Sequence, residues 1–127
     1  MAYQTLAQPA EVPLQSKSDE VLITLVHQGE HGAYRILVER YQERIRNLVF
    51  SVFHDREIVD DLSQEVFITA YEALKQFRFQ SSFYTWLYRI GINTAKNYLV
   101  ALGRRAPTST GFDNEEAENF EDADQLR

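Results

Sequence analysis

Cysteine is absent from all 127 residues, which excludes a disulfide framework, a thiolate zinc site and a cysteine nucleophile, and fits a reducing compartment such as the cytoplasm. Glycine and proline are scarce, five and three residues, too few for the tight turns an all-β chain needs, so helices are favoured. No run of about 18 apolar residues occurs, and nothing in the sequence reads as membrane-spanning. The stretch from Met1 to Lys17 lacks the basic start and apolar centre of a signal peptide and reads as a flexible arm. Histidine occurs only at His27, His31 and His54. The first two have metal-ligand spacing on a continuous helix, but Gly29 and Gly32 interrupt that helix. No Glu-x-x-His pair, glycine-rich phosphate loop or Gly-x-Ser-x-Gly elbow is present, so neither catalysis nor a metal or other cofactor is expected.

What the chain does have is segregated charge. The net charge of −6 would argue against nucleic acid if it were evenly spread. Between residues 55 and 74, Asp55, Glu57, Asp60, Asp61, Glu65 and Glu72 face a single base, Arg56. Between residues 75 and 105 the sign reverses, with Lys75, Arg78, Arg89, Lys96, Arg104 and Arg105 and no acid. Residues 106–127 are acidic again and non-periodic, which predicts an extended linker.

Hydrophobic periodicity predicts one all-α domain over residues 18–105, a compact bundle of about four helices between the N-terminal arm (1–17) and the acidic linker (106–127). The first helix starts at Ser18 or Asp19, carries Val21, Leu22, Leu25 and Val26, and ends at Gly29. A second starts near His31 with an apolar stripe of Tyr34, Leu37, Val38, Tyr41, Ile45, Leu48, Val49 and Val52. Its other face, Arg35, Glu39, Arg40, Glu43, Arg44 and Arg46, reads as solvated. A third, after a break at 54–57, turns Asp61, Glu65, Ile68 and Glu72 outward in one line that suits docking. A fourth, capped by Ser81 or Ser82, points Phe83, Trp86, Leu87, Ile90, Thr94 and Tyr98 inward and ends near Gly103.

The richest segment is 77–105, where bases alternate with Phe77, Phe79, Phe83, Tyr84, Trp86, Tyr88 and Tyr98. Cations follow a phosphate backbone and aromatic faces stack on unpaired bases, at roughly 1–3 kcal/mol per stack. Core packing accounts equally well for Phe83, Trp86, Tyr98 and Phe77, whereas Phe79, Tyr84 and Tyr88 fall on or beside the outward side. Asn93 supplies an amide of the kind that reads the Watson–Crick edge of a flipped base.

The string 83–90, Phe-Tyr-Thr-Trp-Leu-Tyr-Arg-Ile, followed by Asn93-Thr94-Ala95-Lys96-Asn97-Tyr98-Leu99-Val100 and Gly103-Arg104-Arg105, resembles region 2 of extracytoplasmic-function sigma factors, nearest the sigma-E type. Upstream, Asp61-Leu62-Ser63-Gln64-Glu65-Val66-Phe67 and Gly32-Ala33-Tyr34 extend the likeness over roughly residues 19–105. The resemblance implies a cytoplasmic, non-enzymatic factor. In it Asp61, Gln64 and Glu65, extended by Ile68 and Glu72, would meet a basic coiled coil of the polymerase β′ subunit. The loop Gln76 to Ser82 with Ile90, Asn93 and Lys96 would capture a flipped non-template base of the minus-ten promoter element. Arg104 and Arg105 would lie near duplex phosphates. The expected DNA-binding set is Phe77, Arg78, Phe79, Gln80, Tyr84, Tyr88, Arg89, Ile90, Asn93, Lys96, Asn97, Arg104 and Arg105. Core RNA polymerase, single-stranded promoter DNA and an anti-sigma factor are the expected partners.

Two departures stand out. Many relatives carry Phe-Arg-Gly-Asp where this chain has Phe77-Arg78-Phe79-Gln80, and loss of the glycine restricts positive φ. The helix-turn-helix domain with which the family reads the minus-thirty-five element has no counterpart here, and the expectation is a chain cut at the linker. The competing reading is a helical module held by an anti-sigma factor, without DNA activity of its own.

Overall fold

The computed structural model describes residues 12–105. They form a 3₁₀ turn at Leu14–Ser16, α1 (Asp19–His27), α2 (Gly32–Phe53), α3 (Arg56–Ala73), a second 3₁₀ turn at Leu74–Gln76 and α4 (Phe83–Arg105), with no strand among the described residues. The all-α expectation with four helices holds, although α4 runs past Gly103 to Arg105. The linker expected at 106–127 lies outside the described residues. No described helix is long and apolar enough to cross a membrane. The described residues fall into two compact units, divided between Arg40 and Tyr41. The division falls inside α2, whose 22 residues extend for about 33 Å at 1.5 Å per residue.

In the first unit, the Ser18 hydroxyl accepts the amide of Val21 at 3.2 Å and caps α1, meeting a donor that the helix itself cannot satisfy. At the other end the Gly29 amide donates to the Val26 carbonyl and the Glu30 amide reaches back to Leu25, 2.9 and 2.8 Å. This Schellman closure needs a left-handed residue, which Gly29 supplies at φ 101°. Leu22, Ile23, Val26, Ala33, Tyr34, Ile36 and Leu37 are buried, while Val21 is exposed despite its place in the apolar pattern. Arg40 is not simply solvated. Its guanidinium donates to the Asp19 carboxylate and the Gln15 carbonyl, each at 2.8 Å, and to the Lys17 carbonyl. The last residues of the arm predicted to be flexible are thereby tied down, because a planar fork satisfies several acceptors at once.

In the second unit, α3 begins earlier than its apolar pattern suggests. Asp55 caps it by accepting the amides of Glu57 and Ile58, and His54 turns the chain at φ 54°. Ile45 and Val49 of α2, Val59, Leu62, Val66, Phe67 and Ala70 of α3, Leu74 and Phe77 of the connection, and Phe83, Leu87, Ala95 and Leu99 of α4 are buried. Gly91 sets how closely α2 approaches α4, since a Cβ there would lie 2.9 Å from Leu48 Cδ2. The Arg46–Asp60 ion pair at 2.5 Å joins α2 to α3. Being partly exposed, it contributes no more than about 1 kcal/mol.

Candidate nucleic-acid interface

The loop between the second 3₁₀ turn and α4 is organised from below by one ring. Phe77 is 1% exposed, with ring centroids 5.0 Å from Trp86, 5.2 Å from Phe79 and 6.4 Å from Phe83. This corrects its place among the DNA contacts, because a ring enclosed on this scale cannot offer a face to a base. Above it, Arg78 folds back and donates to the carbonyls of Lys75 and Phe77, 2.5 and 3.1 Å. Its backbone amide donates to Gln80 Oε1 at 3.0 Å, so both side chains close the loop on itself. Ser82, rather than Ser81, caps α4 by accepting the Thr85 amide at 3.1 Å.

Phe79 adopts the left-handed conformation, φ 61°. The turn holds a bulky residue there at a cost of about 1–2 kcal/mol and presents the ring at 43% exposure. Phe79→Gly and Phe79→Ala both delete the ring, but only glycine relieves the backbone. Phe79→Gly is therefore expected to be the more stable of the two by about 1 kcal/mol in urea denaturation. Equal stabilities would show that the left-handed turn does not persist without the ring.

Along α4, Asn93, Ile90, Arg89 and Lys96 are half-buried, and Asn97 and Arg104 are exposed. The Arg105 side chain lies outside the described set. Helical spacing puts Arg89, Ile90, Asn93, Lys96, Asn97 and Arg104 on one broad face. Trp86 shares that face and is half-buried, where the sequence pattern had assigned it to the core. Among the described residues, Arg89, Lys96 and Arg104 form no ion pair, and the Asn93 amide has no hydrogen-bond partner. Cations and an amide without a described partner thus share one face.

Tyr84 and Tyr88 do not join this face. They lie roughly 140–180° around the helix from Asn93 at 3.6 residues per turn, so the same base cannot meet all three. Tyr84 instead stacks on Tyr41 of α2, centroids 5.4 Å apart at 17°. The Arg44 guanidinium sits 5.0 Å from the Tyr84 ring and 5.6 Å from Tyr41. Neither Tyr41 nor Arg44 was singled out by sequence, because one matched the apolar stripe and the other a charged face. Their i, i+3 spacing was the available signal.

On α3, Asp61, Gln64, Glu65, Ile68 and Glu72 are all exposed and share one side of the helix. Ile68 stands at 60% exposure among the acids, with Tyr71 also exposed.

The Sigma-70 region 2 family model matches residues 37–105. The ECF RNA polymerase sigma-E factor of Escherichia coli K12 is 52% identical over 110 residues, covering 87% of this chain and 56% of that protein. The RNA polymerase sigma-H factor of Pseudomonas aeruginosa is 49% identical over 108 residues, 85% of this chain and 55% of that protein. The chain thus spans little more than half the length of these relatives. An NMR structure of an engineered region 2 of sigmaE, in complex with GTAAAA, superposes with a TM-score of 0.66 at 48% identity, covering 71% of this chain and 94% of the other.

Proposed function

The chain belongs to the sigma-70 region 2 family, and from that footing we propose that it docks on core RNA polymerase and opens promoter DNA, using two oppositely charged helices. The observation that carries this reading is the face of α4: among the described residues Arg89, Lys96 and Arg104 form no ion pair, and they flank an Asn93 amide with no hydrogen-bond partner there. Phosphates of a single strand fit the cations, and a base flipped from the non-template strand of the minus-ten element fits between the Phe79 loop and Asn93. Melting then draws on the exchange of base stacking for protein contacts and needs no ATP. The exposed acids of α3 are complementary to a basic coiled coil of the β′ subunit, and their role is polymerase docking.

The 48% identical region 2 of sigmaE is in complex with GTAAAA, which makes that hexanucleotide the natural probe. Fluorescence anisotropy is expected to show binding of single-stranded GTAAAA over a scrambled hexanucleotide. The logarithm of affinity should fall against log salt with a slope of about −0.7 per phosphate contacted. Absence of both salt dependence and sequence preference would sink the promoter reading. Independently, Asp61→Lys with Glu65→Lys is expected to abolish co-purification with core RNA polymerase while oligonucleotide binding persists.

A second reading, a module held by an anti-sigma factor, is favoured by the exposed Ile68 and Tyr71 beside the acids, a mixture suited to a protein partner. It is compatible with the first, since such a partner would cover the docking face.

A further inference from the structure

Tyr84 and Tyr88 leave a question that the Asn93 face does not answer, because they stand on the other side of α4 and Tyr88 exposes its ring there without a folding reason. Tyr88 is 41% exposed and its ring lies 6.0 Å from Tyr84. Tyr84 stacks on Tyr41, and Tyr41 contacts Phe83 at 5.6 Å. Phe83 in turn meets Phe77 beneath the loop. A continuous series of rings therefore runs from exposed Phe79, through the core, to exposed Tyr88. At the second end Arg44 lies over Tyr41 and Tyr84. It is exposed and, among the described residues, makes no hydrogen bond or ion pair. Its guanidinium donors remain available while its plane is already oriented by the rings, the arrangement in which arginine recognises a phosphate without losing much side-chain freedom.

We infer that Arg44, Tyr84 and Tyr88 form a second single-strand subsite, built between α2 and α4, that holds a nucleotide beyond the one facing Asn93. The phosphate lies on the Arg44 guanidinium and the base stacks on the open face of Tyr88. Continuity with the loop through shared rings, together with a cation that pairs with no acid among the described residues, favours nucleic acid over a protein partner. The inference rests on the promoter reading and extends it: one strand crosses the N-terminal turns of α4 and is gripped on both sides.

The test compares single-stranded GTAAAA with the same hexanucleotide carrying three added thymidines at one end or the other, using the 127-residue chain. The gain in affinity on extension is expected to be about tenfold in wild type, as one further stack provides. In Arg44→Ala it should fall to near onefold, with the salt slope on the longer strand shallower by about 0.7. Arg44→Lys, which keeps the charge, should retain the slope, and Arg56→Ala, removing an exposed arginine elsewhere, should retain the gain. A gain that persists in Arg44→Ala, one lost equally in Arg56→Ala, or no gain in wild type overturns the subsite while leaving hexanucleotide binding intact. Failure of wild type to bind either strand overturns the promoter reading and the subsite together. Circular dichroism melting confirms that each variant is folded.

Discussion

Phe77→Ala is expected to destabilise the second unit by about 3–5 kcal/mol, the cost of emptying a large buried ring site that cannot fully collapse. The ring is 1% exposed and touches Phe79, Phe83 and Trp86, so its removal leaves the loop and the start of α4 without their common support. Small domains are stable by only about 5–15 kcal/mol in total, and a loss of this size brings the variant close to unfolding at ambient temperature. The chain contains one tryptophan, and Trp86 lies 5.0 Å from Phe77. Its fluorescence in urea therefore reports unfolding at the site itself. Phe77→Leu, which refills part of the volume, should lose less. If Phe77→Ala kept its stability while losing oligonucleotide binding, the ring would be a base contact after all.

Asn93→Ala carries the largest expected effect on recognition. A side-chain amide that pairs with a base edge contributes about 1–3 kcal/mol of discrimination, so preference for GTAAAA over a single-base variant should fall roughly 5- to 150-fold. Two accompanying results distinguish a lost reader from a damaged fold. The salt slope should not change, because no phosphate contact is removed. The melting temperature should also hold, because the amide has no hydrogen-bond partner to lose among the described residues. Unchanged selectivity would remove Asn93 from the pocket.

The two expected effects separate because the structure gives the two residues different surroundings, Phe77 enclosed and Asn93 half-buried on the face of α4. Both lie in a segment where aromatics and bases alternate. Alternation describes composition, and burial depends on what other elements press against each side chain. Phe77 lies in the loop Gln76 to Ser82, where the sequence allows a DNA contact and core packing equally, and Phe83 and Trp86 of α4 enclose it. Arg40 was read as solvated because it falls opposite an apolar stripe, yet carbonyls of the preceding segment come to it. At Phe79 the loss of glycine leads the sequence to disfavour positive φ, yet the residue stands at φ 61°, since the Gln80 and Arg78 hydrogen bonds and the Phe77 contact hold the turn.

By itself the sequence determined what depends on neighbours along the chain: four helices from 3.6-residue periodicity, their starts to within a residue at Ser18 or Asp19 and at Ser81 or Ser82, the stop at Gly29, and acids and bases confined to successive helices. These are local properties, settled by backbone geometry and capping within a few residues. The family likeness to region 2 was carried by contiguous motifs and was legible for the same reason. Only the tertiary structure decided which side of α4 each aromatic occupies in relation to α2, that Phe77 supports rather than presents, and that Arg44 reaches Tyr84 across 40 residues of chain. Those contacts depend on how helices distant in sequence pack, and no spacing within a single helix encodes them.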